Sequence, residues 1–130
     1  GRADTIRLIN QVREPFNTSR IAQAAARQAL RDQAFVDDCR IKNREGMEYL
    51  TAAFDRLGLT HFPSETNFIM VDTGHASMEI FQSLLQRGII IRAGHSKYPT
   101  WIRVTIGKPE QNEAFIQALE ETLQERKATV

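Results

Sequence analysis

Two arginines stand where a charge is costly. Arg92 follows Ile89-Ile90-Ile91, and Arg103 interrupts an apolar run between Trp101-Ile102 and Val104-Thr105-Ile106. Each places a guanidinium at or inside an otherwise apolar element, and burying such a group is expensive unless an anion meets it. The planar fork of arginine suits carboxylate or phosphate in a two-pronged grip. The residues alone leave a plainer outcome open: an edge arginine paired with a nearby glutamate or reaching solvent.

Other reactive side chains lack the company their chemistry needs. The chain has no GxGxxG or GxxxxGK[ST] phosphate loop, so the dinucleotide and P-loop readings have no glycine scaffold. His61, His75 and His95 are scattered, without the i, i+4 spacing that two zinc ligands on one helix turn would use, and are expected at the surface. Cys39 is the single cysteine and follows Asp37 and Asp38 in a predicted helix. Adjacent acids disfavour a thiolate, which makes a buried or semi-buried structural cysteine the expectation. The acid pairs Asp37-Asp38 and Glu120-Glu121 point about 100° apart on a helix and read as solvated surface.

The elements that must carry the two arginines follow from periodicity. Residues 1–16 hold a short apolar patch (Ile6, Leu8, Ile9, Val12) that suits a short helix or strand before a turn at Pro15. Asn17, Thr18 and Ser19 offer caps for a helix rich in Ala, Gln and Arg, and Asp32 interrupts it and re-caps the next. Met47, Leu50, Phe54 and Leu57 recur at helical spacing, with Gly58 as the stop. Gly46 lies inside that run, where an interior glycine costs about 1 kcal/mol relative to alanine.

The period then shortens. Phe68 to Val71 reads as a strand buried on both faces. Ser77 is positioned to cap a helix carrying Ile80, Phe81, Leu84 and Leu85, which Gly88 ends. Ile89 to Ile91 and Trp101 to Ile106 supply two further strands, antiparallel neighbours across a short loop. Pro109 opens a last helix with Phe115, Ala118, Leu119, Thr122 and Leu123 inside. The expected fold is α/β: a two-layer α/β sandwich, with a long N-terminal helical segment followed by β-α-β-β-α and a small three-stranded sheet.

Composition narrows the function classes. The 130 residues, 42% hydrophobic and 25% charged, suit a single domain that buries roughly two-thirds of its unfolded surface. Seventeen basic against sixteen acidic residues argue against a dedicated nucleic-acid binder or a polybasic membrane module. One cysteine excludes an intrachain disulfide or thiolate zinc cage and suits a reducing cytoplasm. No apolar stretch is long enough for a membrane span, and the N-terminus lacks the order of a secretory signal. The expectation is a soluble, cytoplasmic protein.

Several strings together carry a resemblance. Val12-Arg13-Glu14-Pro15-Phe16-Asn17 with Ala22-Gln23-Ala24-Ala25, then Pro63-Ser64-Glu65-Thr66-Asn67-Phe68-Ile69, Gly88-Ile89-Ile90-Ile91-Arg92 and Ile102-Arg103-Val104-Thr105-Ile106-Gly107 resemble, in order and spacing, the C-terminal part of histidinol-phosphate aminotransferases. The resemblance implies a fold-type I enzyme dependent on pyridoxal 5'-phosphate. Residues 1–130 would be its small C-terminal domain, with residues about 1–57 including the helix that joins the large domain.

The resemblance further implies that the Schiff-base lysine and most of the cofactor cup lie upstream, so no catalytic residue is expected in this chain. It gives Arg103, in the family's Arg-x-Thr-x-Gly motif, the acidic end of the substrate, phosphate or carboxylate, and Arg92 a place toward the substrate phosphate. Asn67 matches a position where a backbone or packing role competes with substrate contact. Ser96-Lys97-Tyr98 echoes the string around the family's cofactor lysine, yet it stands between the two late strands, and Lys97 reads as a loop lysine. The implied parent is a homodimer acting on a small-molecule substrate. A threonine-phosphate decarboxylase, an aromatic aminotransferase, or a non-catalytic regulator built on the same domain would share these features.

Overall fold

In the computed structural model the described residues are 1–128. The elements run α1 (Ala3–Val12), α2 (Arg20–Ala29), α3 (Gln33–Arg56), β1 (Phe68–Asp72), α4 (Ser77–Gln86), β2 (Trp101–Thr105) and α5 (Pro109–Ala128). Residues 1–37 and the residues from 38 onward form two compact units.

In the first unit the ambiguous opening segment is helical, and Pro15-Phe16 turns the chain, with Phe16 in the left-handed region at φ 60°. Ser19 caps α2 by accepting a hydrogen bond from the Ala22 amide at 3.1 Å, which satisfies one of the amides a helix start leaves without a partner. Asp32 does the same for α3, its carboxylate accepting from the Phe35 amide at 3.1 Å. Neither α1 nor α2 contains a buried residue.

The second unit holds the core. Leu50 and Phe54 of α3, Ile69 and Val71 of β1, Ile80 and Leu84 of α4, Ile102 of β2 and Leu119 of α5 are all fully buried. The predicted inner face of α5 is the observed one, with Phe115, Ala118, Leu119, Thr122 and Leu123 buried. Gly58 and Gly88 adopt the positive φ that stops α3 and α4. The arrangement is the expected two layers, helices on one face of a small antiparallel sheet.

Four local expectations differ from the structure. The sheet has two strands, not three, in the order β1-β2. Ile89 is tied back to the end of α4, its amide donating to Leu84 at 2.9 Å, and only Arg92 reaches β2, as a single antiparallel bridge to Arg103. β1 is buried on one face only: Ile69 and Val71 are covered and Phe68 and Met70 partly open. Ser77 is not the cap of α4; Ala76 occupies that position, and the Ser77 hydroxyl accepts from the Gly94 amide at 3.2 Å. Cys39 is exposed, because the apolar stripe of α3 starts at Gly46 and Met47 and the helix before it buries nothing.

Candidate anion-binding site

β1 and β2 pair with Ile69 opposite Val104, Met70 opposite Arg103 and Val71 opposite Ile102. Alternation along a strand sends Ile102 and Val104 into the core and Arg103 to the opposite, uncovered face. The Arg92–Arg103 bridge is doubly bonded: the Arg103 amide donates to the Arg92 carbonyl at 2.8 Å and the Arg92 amide to the Arg103 carbonyl at 3.1 Å. Directly opposed residues of an antiparallel pair carry their side chains on the same face. Both guanidinium groups therefore belong to one side of the sheet, the side the helices leave open.

Their electrostatic setting differs from that of three other arginines of the second unit. Arg56 pairs with Glu120, Arg87 with Glu121 and Glu125, and Arg126 with Glu79. Among the described residues neither Arg92 nor Arg103 has a carboxylate partner. Arg103 is half-buried and lies over the Phe68 ring, its Cζ 5.0 Å from the centroid, a contact that orients the guanidinium without neutralising it. Like charges set directly opposite each other destabilise a sheet. An anion between the two side chains removes that penalty, and phosphate or carboxylate accepts the forked hydrogen bonds both groups offer.

Asn67 stands just before β1 and is exposed; its carbonyl accepts from the Ile106 amide at 2.9 Å, one rung beyond the strand pairing. Two clefts, of about 830 and 500 Å³, open beside Gly107 at the end of β2, and neither is lined by Arg92, Arg103 or Asn67. The arginine pair is an open face.

Neither Lys42 nor Lys97 stands in a cofactor cradle. Lys97 is exposed in the turn closed by the His95–Tyr98 bridge, its amide donating to the His95 ring at 3.3 Å. Lys42 donates to Asp38 at 2.7 Å, and that hydrogen bond holds its ammonium above the usual range. An imine-forming lysine needs the opposite shift, toward the free amine. The hydrogen-bonded Lys42 therefore does not suit imine formation with pyridoxal phosphate. The described residues also include no group of three His, Cys, Asp or Glu able to hold a metal ion.

The direct opposition of Arg92 and Arg103 could not be read from the chain. The i, i+2 alternation of Trp101, Arg103 and Thr105 places Arg103 on one face, but nothing local states which residue of the preceding segment meets it. The Phe68 contact and the Ser77 hydrogen bond were likewise invisible.

The sequence profile of the family described as aminotransferase class I and II matches residues 1–119. The chain belongs to that family. Among its curated relatives in the family, the histidinol-phosphate aminotransferase of Anoxybacillus flavithermus is 49% identical over 123 residues, covering 94% of this chain and 33% of the relative. The chain thus spans about a third of the length of the curated relatives it matches. The crystal structure of histidinol-phosphate aminotransferase from Sinorhizobium meliloti in complex with pyridoxal-5'-phosphate superposes with a TM-score of 0.81 at 28% identity, over 94% of this chain and 34% of that one. L-threonine-O-3-phosphate decarboxylase from Porphyromonas gingivalis gives a TM-score of 0.77 at 25% identity, over 95% of this chain and 40% of that one.

Proposed function

We propose that this chain is the small C-terminal domain, with its connecting helical segment, of a histidinol-phosphate aminotransferase that uses pyridoxal 5'-phosphate. The parent would exchange an amino group between histidinol phosphate and 2-oxoglutarate, giving imidazole acetol phosphate and glutamate. It would work as a cytoplasmic homodimer; among the described residues no helix is long and apolar enough to cross a membrane. When bound, the cofactor supplies the electron sink for amino transfer. Its lysine and cradle would belong to the part of the full-length enzyme that this chain does not span.

The observation that carries the reading is the opposed Arg92–Arg103 pair on the open face, without a carboxylate partner among the described residues. Arg103 is the grip for the acidic end of each substrate in turn, and Arg92 supports it at the phosphate. Asn67 would lie at the edge of the same site, contributing through its backbone. The likeness to the threonine phosphate decarboxylase favours one second reading, a decarboxylase for a phosphorylated amino acid, since the same pair would hold that phosphate.

The test is Arg103→Ala in the full-length enzyme. Losing charge-assisted hydrogen bonds worth about 1.5–3 kcal/mol should raise KM for histidinol phosphate and for 2-oxoglutarate roughly ten- to hundredfold. Unchanged KM for both would remove Arg103 from the site.

A further inference from the structure

The loop between Arg92 and Trp101 is anchored at both ends by two buried hydroxyl residues near the start of α4. Ser77, 2% exposed, accepts a hydrogen bond from the Gly94 amide at 3.2 Å through its hydroxyl, and its own amide donates to the Pro99 carbonyl at 2.8 Å. Thr73, 4% exposed, holds the adjoining Thr100 carbonyl twice, from its amide at 3.2 Å and its hydroxyl at 3.0 Å. One residue, Ser77, thus touches the loop on its entry side, two residues after Arg92, and on its exit side, four residues before Arg103. Gly94 is at φ 81°, and the loop closes on itself through the Tyr98 amide and the His95 carbonyl at 3.0 Å.

This matters because the segment carrying Arg92 has almost no sheet of its own. A single bridge holds it to β2, and one bridge does not fix where a long side chain sits relative to its neighbour. A buried hydroxyl on Gly94 adds a second fixed point beyond the bridge.

We propose that Ser77 is a positioning residue for the anion site: by clasping Gly94 and Pro99 it sets the separation of the Arg92 and Arg103 guanidinium groups, and with it the preference for a phosphate-bearing substrate. The inference rests on the anion-site reading above. Removing the hydroxyl frees the Gly94 amide and lets the Arg92 end of the pair drift, while Arg103 stays held by β1. A substrate phosphate, which uses both arginines, should feel this more than a substrate without one.

The experiment uses the full-length enzyme and compares histidinol phosphate with the same amino alcohol lacking its phosphate. Ser77→Ala should raise KM for histidinol phosphate about three- to tenfold, the range set by one lost neutral hydrogen bond, with kcat and the KM of the unphosphorylated compound unchanged. Ser77→Thr, which keeps the hydroxyl, should restore the difference. Equal changes for the two compounds, or none, overturn the proposal. Arg103→Ala is run beside it: if that variant leaves phosphate preference intact, the anion-site reading itself has failed. Should Ser77→Ala not fold, amide exchange of residues 93–100 in the unmodified enzyme decides; slow exchange at Gly94 supports the clasp, and exchange at the rate of an open loop overturns it.

Discussion

Gly46 has no room for a methyl group. A Cβ there would lie 2.5 Å from Ile106 Cγ2 and 3.0 Å from the Asn112 side-chain nitrogen. The branched Ile106 carbon sits close to its backbone and yields little, and Asn112 is committed to Gly107, accepting from its amide at 2.8 Å and donating to its carbonyl at 3.2 Å. Gly46→Ala should therefore destabilise the protein by about 1–3 kcal/mol, the cost of overpacking, although alanine is the better helix former by about 1 kcal/mol. Urea unfolding of the two forms measures the difference; a more stable variant would show that Ile106 gives way. Sequence reading treats this glycine as a weak point of a helix, because its reason lies in a residue sixty positions away. Arg103 was more legible, since a charge in an apolar run is visible without coordinates. Its partnership with Arg92 was not, because register is a tertiary property.

At the scale of elements, caps and stops were the most readable features. Ser19 and Asp32 accept the amide bonds their positions predict, since capping depends on residues three apart. Asp32→Ala should cost the start of α3 about 1 kcal/mol. The loss should appear as faster amide exchange over residues 33–37, with little change in global unfolding, because that turn buries nothing. Unaltered exchange there would mean that the cap contributes nothing. Ser77 breaks the pattern: the same residue type at a helix start turns away from its helix because Gly94 competes for the hydroxyl. The segment from Ile89 to Ile91 breaks it too. Three β-branched residues favour extended backbone, but a strand needs a partner along its length, and the tie from Ile89 to Leu84 leaves only Arg92 in reach.

For the whole molecule, the hydrogen-bonded Lys42 and the exposed loop position of Lys97 give a direct expectation. This chain alone, mixed with equimolar pyridoxal phosphate and passed through a desalting column, should emerge without a visible absorption band. A retained band that Lys97→Ala abolishes would place a cofactor site in this chain. The open sheet face and the uncovered apolar side chains of α1 and α2, Val12 and Ile21 among them, agree with a chain that spans a third of its relatives' length.

By itself the chain determined most of the helices, the caps at Ser19 and Asp32, the inner face of α5, the two-layer class and the presence of two arginines in apolar surroundings. All of these depend on residues within a few positions of one another, through the 3.6-residue and two-residue periods of the backbone. Tertiary structure alone decided that Arg92 and Arg103 stand opposite each other, with no carboxylate partner among the described residues, that Ser77 serves a loop instead of a helix, and that Gly46 is a contact. Each of these joins residues far apart in the chain, and packing selects such partners after the local preferences have been met.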